Sequence, residues 1–94
     1  MIRYRIHFSG RVQGVGFRYT AMHIATGFEV TGFVKNLPDG RVLIVAEGRK
    51  NELDAFVSEI HRRMAGYVHR HTTGESEATG EFAASGKGSF DVRY

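Results

Sequence analysis

Residues 28–48 read FEVTGFVKNLPDGRVLIVAEG, and this stretch decides the fold. Two strand-like runs, Phe28 to Asn36 and Arg41 to Gly48, flank Leu37-Pro38-Asp39-Gly40. Proline presets φ for a turn and glycine supplies a left-handed residue, so the two runs form a hairpin. The second run carries Val42, Leu43, Ile44, Val45 and Ala46 in succession, apolar on both faces. Such a strand is covered on both sides and belongs at the centre of a sheet.

Toward the C-terminus, Leu53, Phe56, Val57, Ile60 and Met64 recur at helical spacing. Asn51 can cap this helix, Glu52 and Asp54 suit its first turn, Arg62 and Arg63 its last, and Gly66 can terminate it. A weaker, polar strand is expected around Tyr67 to Thr73. Gly74 to Ser89 is rich in Gly, Ser, Ala and Glu, with Phe82 its one large apolar residue, and reads mostly as loop. Phe90 to Tyr94 reads as a short edge strand.

Toward the N-terminus, Ile2, Tyr4, Ile6 and Phe8 alternate with Arg3, Arg5 and His7, the pattern of a half-buried strand. Phe17, Ala21, Ile24 and Ala25 make a helical stripe that Gly27 stops. The order is β-α-β-β-α-β with a short extra strand. It predicts an α+β, ferredoxin-like split β-α-β sandwich: an antiparallel sheet with both helices on one face. That fold serves many functions and names none.

The 94 residues suit one domain, spanning 1–94. An apolar content of 41%, with seven Phe and four Tyr, is that of a globular chain and not of a disordered one. There is no Cys, which excludes a disulfide framework and a thiol nucleophile. The start, MIRYRIHF, resembles neither a signal nor a transit peptide, and no apolar run is long enough to span a membrane. A cytoplasmic location is the expectation. Thirteen basic against ten acidic side chains leave a net charge of +3, scattered without a basic stripe. That surplus favours a small anion and gives no footprint for nucleic acid.

The chemistry lies between the first strand and the first helix, where Gly10 to Arg18 read GRVQGVGFR. Glycines at 10, 14 and 16 let the backbone curl so that several N–H groups face one point. A helix N-terminus adds partial positive charge there. A cation in that first turn is electrostatically unfavourable unless an anion joins it, so Arg18 argues for an oxyanion site. Asn36, ending the second strand, is a common turn former; its amide can instead hold a water, offering both a donor and an acceptor.

Taken together, GRVQGVGFR and the later segment GFVKNLPDGRVLIVAEG (residues 32–48) closely resemble the two signature segments of the acylphosphatase family. Gly10, Val12, Gln13, Gly14, Val15, Phe17 and Arg18 match the first. Gly32, Phe33, Lys35, Asn36, Gly40, Val42 and Gly48 match the second. The resemblance runs from the first strand through the second helix and resumes at Phe90-Asp91-Val92-Arg93-Tyr94. Gly16 falls at a variable position of the first signature, and the stretch from Phe82 to Phe90 is longer than usual for the family.

The resemblance implies hydrolysis of the carboxyl–phosphate bond of an acyl phosphate, giving a carboxylate and inorganic phosphate. It implies that Arg18 binds the phosphate, that Asn36 positions the attacking water, and that Val12, Gln13, Gly14, Val15, Gly16 and Phe17 form the cradling loop. It implies no metal and no cofactor. The partners it implies are a small acyl phosphate and inorganic phosphate as product and competitive ligand, with no nucleic acid, no membrane and a monomeric state. The chemistry agrees. Phosphoryl transfer depends mostly on positioning and charge stabilisation. A carboxylate leaves unaided, because its conjugate acid has a pKa of about 4. The rival reading is a non-catalytic anion-binding or regulatory domain of the same fold.

Three other features carry less. His69 and His71 put two imidazoles on one strand face with no evident third metal ligand, and read as exposed. Ser85-Gly86-Lys87-Gly88-Ser89 superficially resembles a P-loop, but Gly88 replaces the required Ser/Thr and no strand-to-helix context surrounds it. The aromatic content suits RNA-binding domains of this fold, yet VLIVAEG lacks their aromatic-interleaved basic strand.

Overall fold

A computed structural model describes residues 1–82 and 89–93. Along the chain run β1 (Ile2–Gly10), α1 (Phe17–Ala25), β2 (Val30–Asn36), β3 (Val42–Gly48), α2 (Lys50–Arg63), β4 (Val68–Glu77) and β5 (Phe90–Arg93). The strands form one sheet in the order β4-β1-β3-β2-β5. As its double-faced apolar run requires, β3 is the central strand, and every one of its residues is buried.

The hairpin forms as expected. Its neck closes through the Leu37 N–H to the Arg41 carbonyl at 2.8 Å, and Gly40 takes φ 95° to complete the turn. In register, Ile6 of β1 lies beside Ile44 of β3, which lies beside Val34 of β2. That row meets Phe17, Ala21 and Ile24 of α1 and Leu53, Phe56 and Ile60 of α2 in the main core. Each fully buried side chain of this size contributes roughly 1.5–3 kcal/mol. The two helices share this face and touch one another.

The sheet is mixed and not wholly antiparallel. β5 pairs with β2 in parallel, Gly32 beside Phe90 through Lys35 beside Arg93. β4 and β5 occupy opposite edges of the sheet, so they are not joined as a hairpin and β5 is free to take the parallel pairing. The helix start also differs: Arg49, extended at φ −73° and ψ 146°, is the N-cap of α2, and Asn51 lies inside the helix. Tyr4 of β1 explains the earlier start. Its hydroxyl donates to Asp54 Oδ1 at 2.5 Å and accepts from Lys50 Nζ at 2.9 Å, fastening the first turn of α2 to the sheet. Likewise β2 begins at Val30 and not at Phe28.

The largest departure follows α2. The expected strand ending at Thr73 continues to Glu77, because β1 pairs with it along its whole length, Ile2 beside Glu77. Polar composition hid it: an edge strand with one long partner needs few apolar residues. The chain then crosses the sheet face opposite the helices, where Phe82 is buried with Leu43 and Val45 and packs against Phe33 and Leu37. Glu47 of β3 holds this crossing. Its Oε2 accepts from Arg3 Nε at 2.7 Å and from the N–H and hydroxyl of Thr79 at 2.9 Å each, and its Oε1 accepts from the Gly80 N–H at 2.9 Å. Arg3 also pairs with Glu81.

His69 and His71 are both exposed on β4, as expected, and His71 also stacks on Phe8 at 6.1 Å and meets His61 of α2 at 4.2 Å between ring centroids. Among the described residues no three His, Cys, Asp or Glu side chains gather as a metal site, and no helix is long and apolar enough to cross a membrane. Of the P-loop-like stretch, residues 85–88 lie outside the described residues.

Candidate active site

The glycine loop leaves β1 at Gly10 and enters α1 at Phe17. Two buried side chains fix its ends: Val12 and Phe17 both sit in the main core. Between them Gly14 and Gly16 each take φ 77°, a conformation that costs other L-residues roughly 1–2 kcal/mol. The loop is therefore curled because its ends are anchored in the core while two residues tolerate the left-handed turn. The Arg11 N–H donates to the Tyr67 carbonyl at 2.9 Å and ties the loop to the entry of β4.

Gly16 is the N-cap of α1, and it supplies no side-chain cap. The first turn holds Arg18 and no acidic residue. Partial positive charge from the helix and full charge from the guanidinium thus converge, an arrangement suited to an anion.

A cavity of about 120 Å³ opens at this point, lined by Val12, Gly14, Gly16, Phe17, Arg18, Tyr19 and Asn36. Arg18 comes from α1 and Asn36 from the end of β2, so the fold brings together two side chains that lie well apart in sequence. The volume is far below the ~300–1,000 Å³ of sites that enclose drug-sized ligands. It suits a small ion, and any larger remainder of a ligand lies at the mouth. Among the described residues, no carboxylate or imidazole is in the lining. His7 and His23, on β1 and α1, are not in it either.

The loop residues divide. Val12, Gly14, Gly16 and Phe17 line the cavity, while Val15 packs against the core. The Gln13 side chain turns to the hairpin neck, its Nε2 donating to the Leu37 carbonyl at 2.8 Å and the Arg41 carbonyl at 3.0 Å. Arg18 Nη1 donates to the Arg93 carbonyl of β5 at 3.4 Å, and the Arg93 guanidinium lies 3.9 Å above the Phe33 ring centroid. Sequence reasoning missed Tyr19, the hairpin link of Gln13 and the approach of β5. The polarity of Gln13 was the one available hint; the β5 approach rests on long-range pairing that no local pattern reports.

The family model described as acylphosphatase matches residues 4–91. An acylphosphatase of Archaeoglobus fulgidus is 52% identical over 60 residues, covering 64% of this chain and 67% of the relative. The matched stretch thus spans about two thirds of the relative's length. The crystal structure of the acylphosphatase from Bacillus subtilis superposes with TM-score 0.83 at 37% identity, covering 100% of both chains. The crystal structure of HypF from T. kodakarensis superposes with TM-score 0.80 at 31% identity, covering 100% of this chain but 12% of that one. The two signature segments, the shared sheet and helices and a family match over nearly the whole chain lead to one assignment: the chain belongs to the acylphosphatase family.

Proposed function

We propose that this protein hydrolyses acyl phosphates, cleaving the carboxyl–phosphate bond to a carboxylate and inorganic phosphate. One observation carries the reading: Arg18, Asn36 and the glycine loop at the α1 N-terminus line the same small cavity. The phosphoryl group sits in the loop, its oxygens facing backbone N–H groups and the Arg18 guanidinium. These donors are fixed before the reaction and stabilise the charge spread over the phosphoryl oxygens in the transition state.

Asn36 orients the nucleophile. Its amide oxygen accepts a hydrogen bond from a water whose lone pair faces phosphorus, in line with the leaving oxygen. The water oxygen forms the new P–O bond, the bond to the acyl oxygen breaks, and its electron pair leaves on the carboxylate. The water's proton passes to a phosphoryl oxygen. No general acid is needed, because a carboxylate is a stable leaving group. A cavity of about 120 Å³ encloses the phosphoryl end, so the acyl group extends past the mouth.

A monomeric, cytoplasmic enzyme with inorganic phosphate as competitive product completes the proposal. The likeness to a small part of a much longer chain favours one rival, an anion-binding domain without turnover. Benzoyl phosphate hydrolysis in the presence of EDTA separates the two. Phosphate release well above the spontaneous rate supports the enzyme. Phosphate binding without such release supports the rival.

A further inference from the structure

We propose that Gln13 is a positioning residue that sets Asn36 against the phosphate loop. The inference rests on the role proposed above for Asn36. Sheet pairing places Val42 between Phe8 of β1 and Asn36 of β2, but β1 ends at Gly10, so Gly14 and Gly16 lie beyond that pairing. The Gln13 side chain supplies a link there. Its one NH2 group uses both hydrogens, one to Leu37 and one to Arg41. Leu37 directly follows Asn36, and Arg41 directly precedes Val42, the residue paired with Asn36 across the hairpin.

Both carbonyls already accept one backbone bond. Leu37 O receives the Gly40 N–H at 3.1 Å, and Arg41 O receives the Leu37 N–H at 2.8 Å. Gln13 occupies the second lone pair of each, so it braces the neck of the hairpin and not its exposed tip. The orientation of its amide follows from chemistry, since a flipped group would set its oxygen against two carbonyl oxygens. Gln13 therefore joins the left-handed glycine segment on one side to the β2 terminus on the other. Displacing a reacting group by about 1 Å can cost on the order of a hundredfold in rate. A brace at this point affects the attack of water more than the binding of phosphate.

The test is a double-mutant cycle on turnover and phosphate inhibition, using Gln13→Met, which keeps the length and loses the donors, and Asn36→Ala. Gln13→Met is expected to lower kcat about tenfold while KM and the phosphate inhibition constant move less than about threefold. In the Asn36→Ala background the same substitution is expected to change kcat less than about twofold. Gln13→Glu, whose carboxylate repels both carbonyls, should behave like Gln13→Met. An equal loss of kcat in both backgrounds, or unchanged kcat in the single variant, overturns the proposal. Turnover unaffected by Asn36→Ala alone instead defeats the role given to Asn36. Should turnover of Asn36→Ala be too low to measure, the side-chain amide resonances of Asn36 decide. They should shift in Gln13→Met, and resonances that stay in place overturn the link.

Discussion

Glu47→Gln is the substitution whose cost the structure predicts most directly. Glu47 is 4% exposed and accepts four hydrogen bonds, from Arg3, from Thr79 twice and from Gly80. Burial alone would push its carboxyl pKa up. The N–H groups of Thr79 and Gly80, the Thr79 hydroxyl and the Arg3 guanidinium outweigh burial and hold it at about 2, against an ordinary 4.5. That difference corresponds to a preference of about 3 kcal/mol for the ionised folded state. Because the folded pKa lies below the unfolded one, this stability is full above about pH 4.5 and is lost as pH falls toward about 2. A glutamine keeps the shape but carries an NH2 that must face one of four donors. It should therefore cost about 3 kcal/mol near pH 7. Urea unfolding followed by far-UV circular dichroism suits a chain with no Trp. The gap between wild type and variant should narrow through the acid range and close near pH 2. Glu59, which Arg62 and Arg63 also hold at about 2, titrates in both proteins and cancels from the difference. A gap below about 1 kcal/mol near neutrality, or one constant with pH, would refute the reasoning.

The proposed roles of Arg18 and Asn36 should separate kinetically. Arg18→Ala should abolish turnover and weaken phosphate inhibition, whereas Asn36→Ala should lower kcat by about a hundredfold and leave the phosphate inhibition constant within about twofold; steady-state kinetics with phosphate as inhibitor reads both. Among the described residues neither a carboxylate nor an imidazole lines the cavity, so kcat should stay nearly flat from about pH 5 to 7, and a histidine-like sigmoidal profile would return His7 or His23 to consideration. Folding stability should behave differently. Burial, then the neighbouring His71, lowers the pKa of His61, so the unfolded chain binds that proton more readily. Stability is then full above the unfolded pKa of about 6.5 and declines as pH falls below it. Burial, with Arg41 and Arg5, lowers the pKa of His7 too, so His61→Leu should flatten part of that slope in urea titrations at graded pH.

Local pattern carried much of this molecule. The double-faced apolar run at Val42 to Ala46 foretold a central strand, and the stripe from Leu53 to Met64 foretold a helix, because both rest on periodicity that tertiary contacts then reinforce. What local pattern could not report was pairing between distant segments. The strand extension to Glu77 depends on β1 as partner, and the parallel seat of β5 depends on where a crossing segment ends. Phe82, alone among small and polar neighbours, offered no periodic signal, yet it covers Leu43 and Val45 on the outer face. Those two residues were the unread half of the clue: a strand apolar on both faces requires a second cover, and Phe82 is the large apolar residue in the stretch that provides it.

The candidate site follows the same division. Glycines and Arg18 at the start of a helix announce an oxyanion site from sequence, because backbone curl and charge are local properties. A water-directing group is not local, since it must come from a segment that the fold brings alongside. Among the described residues, polar links then fasten the loop and the helix it enters, such as Arg11 to Tyr67, Gln13 to the hairpin neck, and Arg18 to the β5 carbonyl of Arg93. Each joins that region to a different strand or strand connection of the sheet. If catalysis depends on fixed donors, these links matter as much as the groups that touch phosphate. Loosening one of them should lower kcat while leaving the local anion site in place.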